Sequence, residues 1–241
     1  MNDLSIFHYL PILTTILSII FAYKIFDRYR KRNYKGQHLF WWGFGVMVYG
    51  MGTFAEGYIT LFGWNPVIFK FWYIVGALMG GAPLAQGTVW FLLKETTARR
   101  LTYALVLVVS VSAILVSLSP INYDLVNPHL PSGKVLGWQW TRGFSPFINL
   151  YAVIFLVGGA VLSAWRFRKK SSNTTTSPIQ TDRFIGNVLI AIGAILPGIG
   201  GALTRAGFTL ILYITEILGI LLIWAGYWYN IRKRPVKQEG K

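Results

Sequence analysis

The sequence contains no cysteine. Disulfides, thiolate metal sites and cysteine nucleophiles are thereby excluded. Histidine is nearly as scarce. His8 falls near one end of an apolar run, His38 near the opposite end of the next, and His129 in a connection. No two of them can face each other across a haem, and a zinc site would have to be built from carboxylates alone. A glycine-rich phosphate loop ending in Lys-Ser or Lys-Thr is missing as well. Acid is the next shortage, with eight Asp and Glu against 23 Lys and Arg. Charged residues of both signs make up 13% of the chain, where a soluble domain carries about a quarter. No catalytic constellation, metal site or cofactor site emerges from these counts, and the chain reads as a non-enzyme.

What the chain has instead is apolar runs of about 20 residues, repeated along its whole length. They predict an all-α, polytopic membrane protein with seven helices at about 6–26, 39–61, 66–93, 101–119, 144–165, 184–203 and 208–229. Residues 1–231 then form one transmembrane bundle, and 232–241 form a basic tail. The net charge of +15 reports orientation, and not nucleic acid, because of where the charges fall. Only Lys70, Lys134, Arg142 and Arg205 lie outside four clusters, which sit at every second connection and at the C-terminus. By the positive-inside rule the N-terminus is outside and the C-terminus inside, in the plasma membrane. The clusters also suit anionic lipid headgroups. The first run carries its basic residues after the apolar stretch, unlike a cleavable signal peptide. The Asn173-Thr174-Thr175 glycosylation pattern falls inside by the same rule and carries no weight.

Glycine marks where helices approach. In helix 2, Gly43, Gly50 and Gly57 recur every seven residues, as do Gly45 and Gly52, so each set forms one strip. Helix 3 carries the small-residue ridge Gly76, Ala77, Gly80, Gly81, Ala82, Ala85 and Gly87. Pro66 suits the first turn of that helix. Helix 6 holds Gly193, Pro197, Gly198, Gly200 and Gly201, where a bend or hinge centred on Gly193, Pro197 and Gly198 is expected. Helix 4 is Val- and Leu-rich and reads as lipid-facing or connecting. Helices 1–3 and 5–7 could form two triplets joined by helix 4. Trp138 and Trp140 place the long 120–142 connection at headgroup level.

Glu216 is the sharpest functional signal. It lies about eight residues from the outer end of helix 7, or roughly 12 Å deep at 1.5 Å per residue. A carboxyl group there must be paired, protonated or beside water. It shares a helical face with Thr209, Tyr213, Ile220, Ile223 and Tyr227. On helix 2, Tyr49, Thr53, Glu56 and Thr60 also share a face. Glu56 and Lys70 lie equally far from the Phe62–Pro66 turn, which predicts an ion pair or a shared ligand, with Arg205 a third charge for the same mouth. Gln86, in the inner part of helix 3, is expected to bond a neighbouring helix.

A seven-helix, N-outside layout is similar to that of retinal proteins, but helix 7 has no lysine for a Schiff base. Small sugar and vitamin-precursor transporters share the layout too, and layout alone names no family. The leading expectation is a small-solute transporter with a pocket between helices 2, 3, 6 and 7. Glu216, Glu56, Lys70, Tyr213, Tyr49 and Tyr73 would bind a small polar or cationic solute. Two alternatives stay open: a receptor-like sensor signalling to a separate partner, and a non-catalytic subunit held by its glycine strips in an oligomer or larger membrane complex. The orientation beneath all three is testable. Reporter fusions at Gly36, Ser171 and Lys241 should report cytoplasm and one at Ser132 the outside, and an external signal at Ser171 overturns it.

Overall fold

The computed structural model describes residues 6–128, 130–172, 178–205 and 208–232. His129, the 173–175 pattern, the tail beyond Arg232 and the side chain of Arg205 lie outside the described residues. Within them the chain is all-helical, without a strand, and forms seven long helical stretches. Six are long and apolar enough to cross a membrane, as expected of an integral membrane protein. The seventh, α2 (Gln37–Phe62), spans 26 residues, but its glycines, tyrosines and tryptophans dilute its hydropathy.

Helix 1 is α1 (Leu10–Lys31), entered through a 3-10 turn at Ile6–Tyr9. Its end is marked by left-handed Asn33 and Tyr34. The α2 helix ends at Gly63, with φ 84°, a backbone state that costs glycine nothing. Asn65 then caps α3 (Pro66–Trp72), its side-chain oxygen accepting from the N–H groups of Val67 at 2.9 Å and Ile68 at 3.3 Å. Pro66 occupies the first turn, as expected.

Helix 3 is not continuous. After α3 it widens into a π-helical segment, Tyr73–Met79, breaks at Gly80 and Gly81, and resumes as α4 (Ala82–Leu92). Gly80 has φ 29° and ψ −107°, and Pro83 lacks the N–H that would bond the carbonyl of Met79. The freed backbone is satisfied by helix 5, which comprises α6 (Phe144–Ala152), a second π segment (Val153–Val157) and α7 (Gly158–Ser172). Ser145 Oγ donates to the Ala77 carbonyl at 2.7 Å, and Asn149 Nδ2 reaches the same oxygen at 3.4 Å. Irregular backbone at membrane depth survives only when protein covers it in this way.

Helix 4 is α5 (Glu95–Leu118), helix 6 is α8 (Pro178–Arg205) and helix 7 is α9 (Thr209–Ile231). Helices 1, 2, 3, 5, 6 and 7 contact one another in that order, and helix 7 returns to helix 1, closing a ring. Helix 4 lies outside the ring against helix 3, and Leu107, Ile114 and Leu118 on it are exposed. It is anchored by Gln86, which donates to the Ala98 carbonyl and to Thr102 Oγ1 and accepts from Tyr151 of helix 5. The 120–142 connection folds over one end of helices 3 and 5, with Val135 and Leu136 fully buried and Trp138 stacked on Trp140.

Both glycine strips of helix 2 are used. A Cβ on Gly50 would meet Ser18 of helix 1 at 2.8 Å, and one on Gly45 would meet the Leu84 backbone nitrogen of helix 3 at 2.7 Å. Helix 6, where a bend was expected, stays one helix with Pro197 inside it. Pro197 leaves the Gly193 carbonyl without its usual donor, and that oxygen points at Gly219 of helix 7. A Cβ on Gly219 would come 2.8 Å from it, and one on Gly193 would come 2.7 Å from the Gly219 carbonyl. Tight reciprocal packing against helix 7 thus backs the segment whose sequence suggests a hinge. Gly193→Ala should therefore destabilise by about 1–3 kcal/mol through overpacking. Gly198→Ala has open space around its new methyl and should be neutral or gain up to about 1 kcal/mol from helix propensity. Thermal unfolding of the two purified variants beside the parent checks both signs.

Candidate functional site

Helices 2 and 7 both flank helix 1 in the ring and meet through side chains across its interior. Glu56 lies six residues before the end of α2 and Glu216 seven after the start of α9, roughly 9 and 10 Å of rise from neighbouring helix ends. They therefore meet at one level. The two carboxyl groups come within hydrogen-bonding reach of each other. Glu56 is buried, at 2% exposure. Its Oε1 accepts from the indole N–H of Trp72 at 2.8 Å. The Oε2 atoms of both glutamates are buried without a hydrogen-bond donor.

Aromatic hydroxyls surround the pair. Tyr49, two turns along α2 from Glu56, donates its hydroxyl to the backbone carbonyl of Glu216 at 2.9 Å. Tyr213, one turn before Glu216, is fully buried near both carboxyls, and its hydroxyl has no partner. The His8 ring meets Tyr213 edge-on at 6.3 Å. Thr60, one turn beyond Glu56 on the same face, likewise has a buried hydroxyl without a partner. Four buried oxygen-bearing side chains with unused bonding capacity thus sit on adjoining faces of two helices. Buried polar groups are rarely left this way unless they serve a proton, water or ligand.

Of the residues expected at the site, the structure brings together Glu56, Glu216, Tyr49 and Tyr213. It does not bring Lys70 or Tyr73. Lys70 donates to the Ser117 carbonyl of helix 4 at 2.7 Å, and among the described residues no ion pair joins it to Glu56. Equal distance from a turn fixes depth but not direction around the helix. Trp72, two residues on and about 200° away, faces helix 2 instead. Tyr73 packs with Phe69, Leu78, Val135 and Leu136, under the 120–142 connection. Helix 6 packs along helix 7: its Gly193 meets Gly219 and Leu222, and its Gly200 meets Leu212 and Thr215. Trp72 and His8 were missed. A tryptophan inside a membrane helix needs an acceptor for its N–H, and that requirement was the available signal.

Comparison with known proteins finds no matching family model, no matching curated protein and no matching solved structure. The geometry is therefore the ground for a functional reading. A double-mutant cycle tests its central contact. Glu56→Leu and Trp72→Phe should couple by about 1–3 kcal/mol in unfolding experiments. Glu56→Leu and Lys70→Met should be additive to within about 0.5 kcal/mol. Stronger coupling to Lys70 than to Trp72 would reverse the assignment.

Proposed function

We propose that the protein is a membrane transporter for a small polar or cationic solute, driven by proton exchange at the Glu56–Glu216 pair. The observation that carries this reading is two carboxyl groups, contributed by helices far apart in sequence, facing each other inside a transmembrane ring. Two carboxyl groups this close, with no ion pair to either among the described residues, offer a place where a proton can be exchanged. A cation, or a solute donating hydrogen bonds, can replace that proton. The exchange couples solute binding to proton release, the arrangement expected of intramembrane carboxylates in pumps and transporters.

Several features support a moving part at the same place. Trp72, the donor to Glu56, is the last residue before the π segment of helix 3, and such segments often mark functional sites. The Gly80–Gly81 break lies about two turns further on. Shifting α3 relative to α4 would carry Trp72 with it and change the polar environment of Glu56. In this reading helix 3, and not helix 6, supplies the flexibility for alternating access. The basic clusters support an N-outside orientation in the cytoplasmic membrane, with the carboxyl pair nearer the outer face.

Proteoliposomes holding the purified protein and an internal pH dye test the proposal against a panel of small organic cations and neutral polar solutes. At least one solute should drive proton movement with the parent protein. Glu216→Gln and Glu56→Gln, which keep size and neutral hydrogen bonding, should each reduce that signal at least tenfold while folding is retained. Full coupled flux in the double Gln variant would refute proton exchange at the pair. Binding without flux across the panel would favour the sensor reading.

A further inference from the structure

The ring encloses a second space that shares no residue with the carboxyl site. It is a cavity of about 300 Å³ at the basic end of helices 1, 2, 3, 5, 6 and 7. Interiors packed to normal density leave few voids larger than one water. This one holds the volume of about ten waters at roughly 30 Å³ each. Its deep wall is apolar and buried, formed by Phe21, Ile25, Val46, Leu84, Leu156 and Ile223. Its lining also includes Arg28, Arg32 and Arg183, with the polar Asn187 and Asn230.

The three arginines come from helices 1 and 6 and the turn after helix 1, so the fold gathers them around one mouth. Asp27, the acid next in sequence to Arg28, is taken by Arg30 at 2.9 Å and Lys31 at 2.6 Å. Arg28 lies over the ring of Tyr227 at 5.9 Å and Arg183 over that of Phe167 at 5.5 Å. Contacts at this distance place each guanidinium beside an aromatic ring. Tyr227 and Phe167 themselves line the cavity. Cationic groups and an apolar wall that line one space describe a receptor for one class of molecule.

The geometry points to a binding site for a phosphate-headed, single-chain amphiphile, its head held by Arg28, Arg32 and Arg183 and its tail in the lumen. A phosphate monoester carries about −1.5 to −2 charges near neutral pH, a closer match to three guanidinium groups than a carboxylate's single charge. Its oxygens also accept the paired N–H bonds of arginine. Neither half of the ligand suffices alone. A free anion would leave the apolar wall uncovered, and an uncharged chain would make no use of the three arginines. The site stands whether or not the carboxyl pair exchanges protons, since it is read by binding and not by flux.

The test uses the full chain in nanodiscs of zwitterionic lipid, with decyl phosphate as the probe. Trp42 lines the cavity, so its fluorescence should change on binding and thermal unfolding should shift upward. Decanol, decanoate and inorganic phosphate should each bind at least tenfold more weakly than decyl phosphate. Equal binding of inorganic phosphate would reduce the site to a surface anion contact, equal binding of decanol would make it an unselective apolar void, and equal binding of decanoate would remove the phosphate assignment. Each of these overturns the inference. Combined Arg28→Gln, Arg32→Gln and Arg183→Gln should abolish the preference for decyl phosphate over decanol, and a folded triple variant that keeps it overturns the inference too. The comparison among the four probes on the parent protein decides the matter even if the variant fails to fold.

Discussion

Two carboxyl groups meet inside a bundle that offers them one indole donor and, among the described residues, no cationic partner. That constraint governs what surrounds them. Burying a carboxyl group without a partner costs a fold several kcal/mol, so the surrounding packing must hold the two helices together. Lipid gives helices no hydrophobic reason to associate, and close approach between small residues takes over that task. The glycine strips supply it on both sides. Gly50 admits Ser18 of helix 1, Gly45 admits the backbone of helix 3, and Gly193 and Gly219 lock helix 6 to helix 7. The helices carrying the acids are thus clamped from behind while their polar faces meet.

Much of this was legible in the sequence because membrane helices obey simple periodicities. The seven helical stretches followed from run length, and six meet the criterion for crossing a membrane. The heptad glycines of helix 2 did mark strips of close approach, and the peripheral position of helix 4 followed from its composition. Glu56, Tyr49, Glu216 and Tyr213 were found from depth and shared faces, quantities that one helix fixes by itself. The Glu56–Lys70 pairing failed for the complementary reason. Which way a side chain points across a hairpin depends on how two helices rotate against each other, and sequence spacing does not set that angle. Trp72 won the position because its edge faces helix 2.

Backbone irregularity was legible only in part. Glycine and proline were counted in helices 3 and 6 alike, and the bend was assigned to helix 6. The structure keeps helix 6 one continuous helix and breaks helix 3. The difference lies in what meets the freed carbonyl groups. In helix 3, Ser145 and Asn149 stand ready to hydrogen-bond Ala77, so an open backbone is satisfied. In helix 6, the carbonyl freed by Pro197 is pressed against a glycine of helix 7, so the continuous helix is packed tightly. A proline or glycine permits a break, and the neighbouring helix decides whether it happens.

The ring therefore holds two unlike polar regions at different levels, acidic toward one end and cationic toward the other. The seam between them runs along helices 2 and 7. Val46 and Ile223 line the cavity. Tyr49 follows Val46 by one turn, and Glu216 precedes Ile223 by two. The hydrogen bond from Tyr49 to the Glu216 carbonyl thus ties the two helices together just beyond the cavity's deep wall. Phe21 of helix 1, stacked on Trp224 at 5.2 Å, closes the same wall from the side. Charge on the carboxyl pair and packing of the apolar lumen consequently act on one pair of helices through one short stretch of contact.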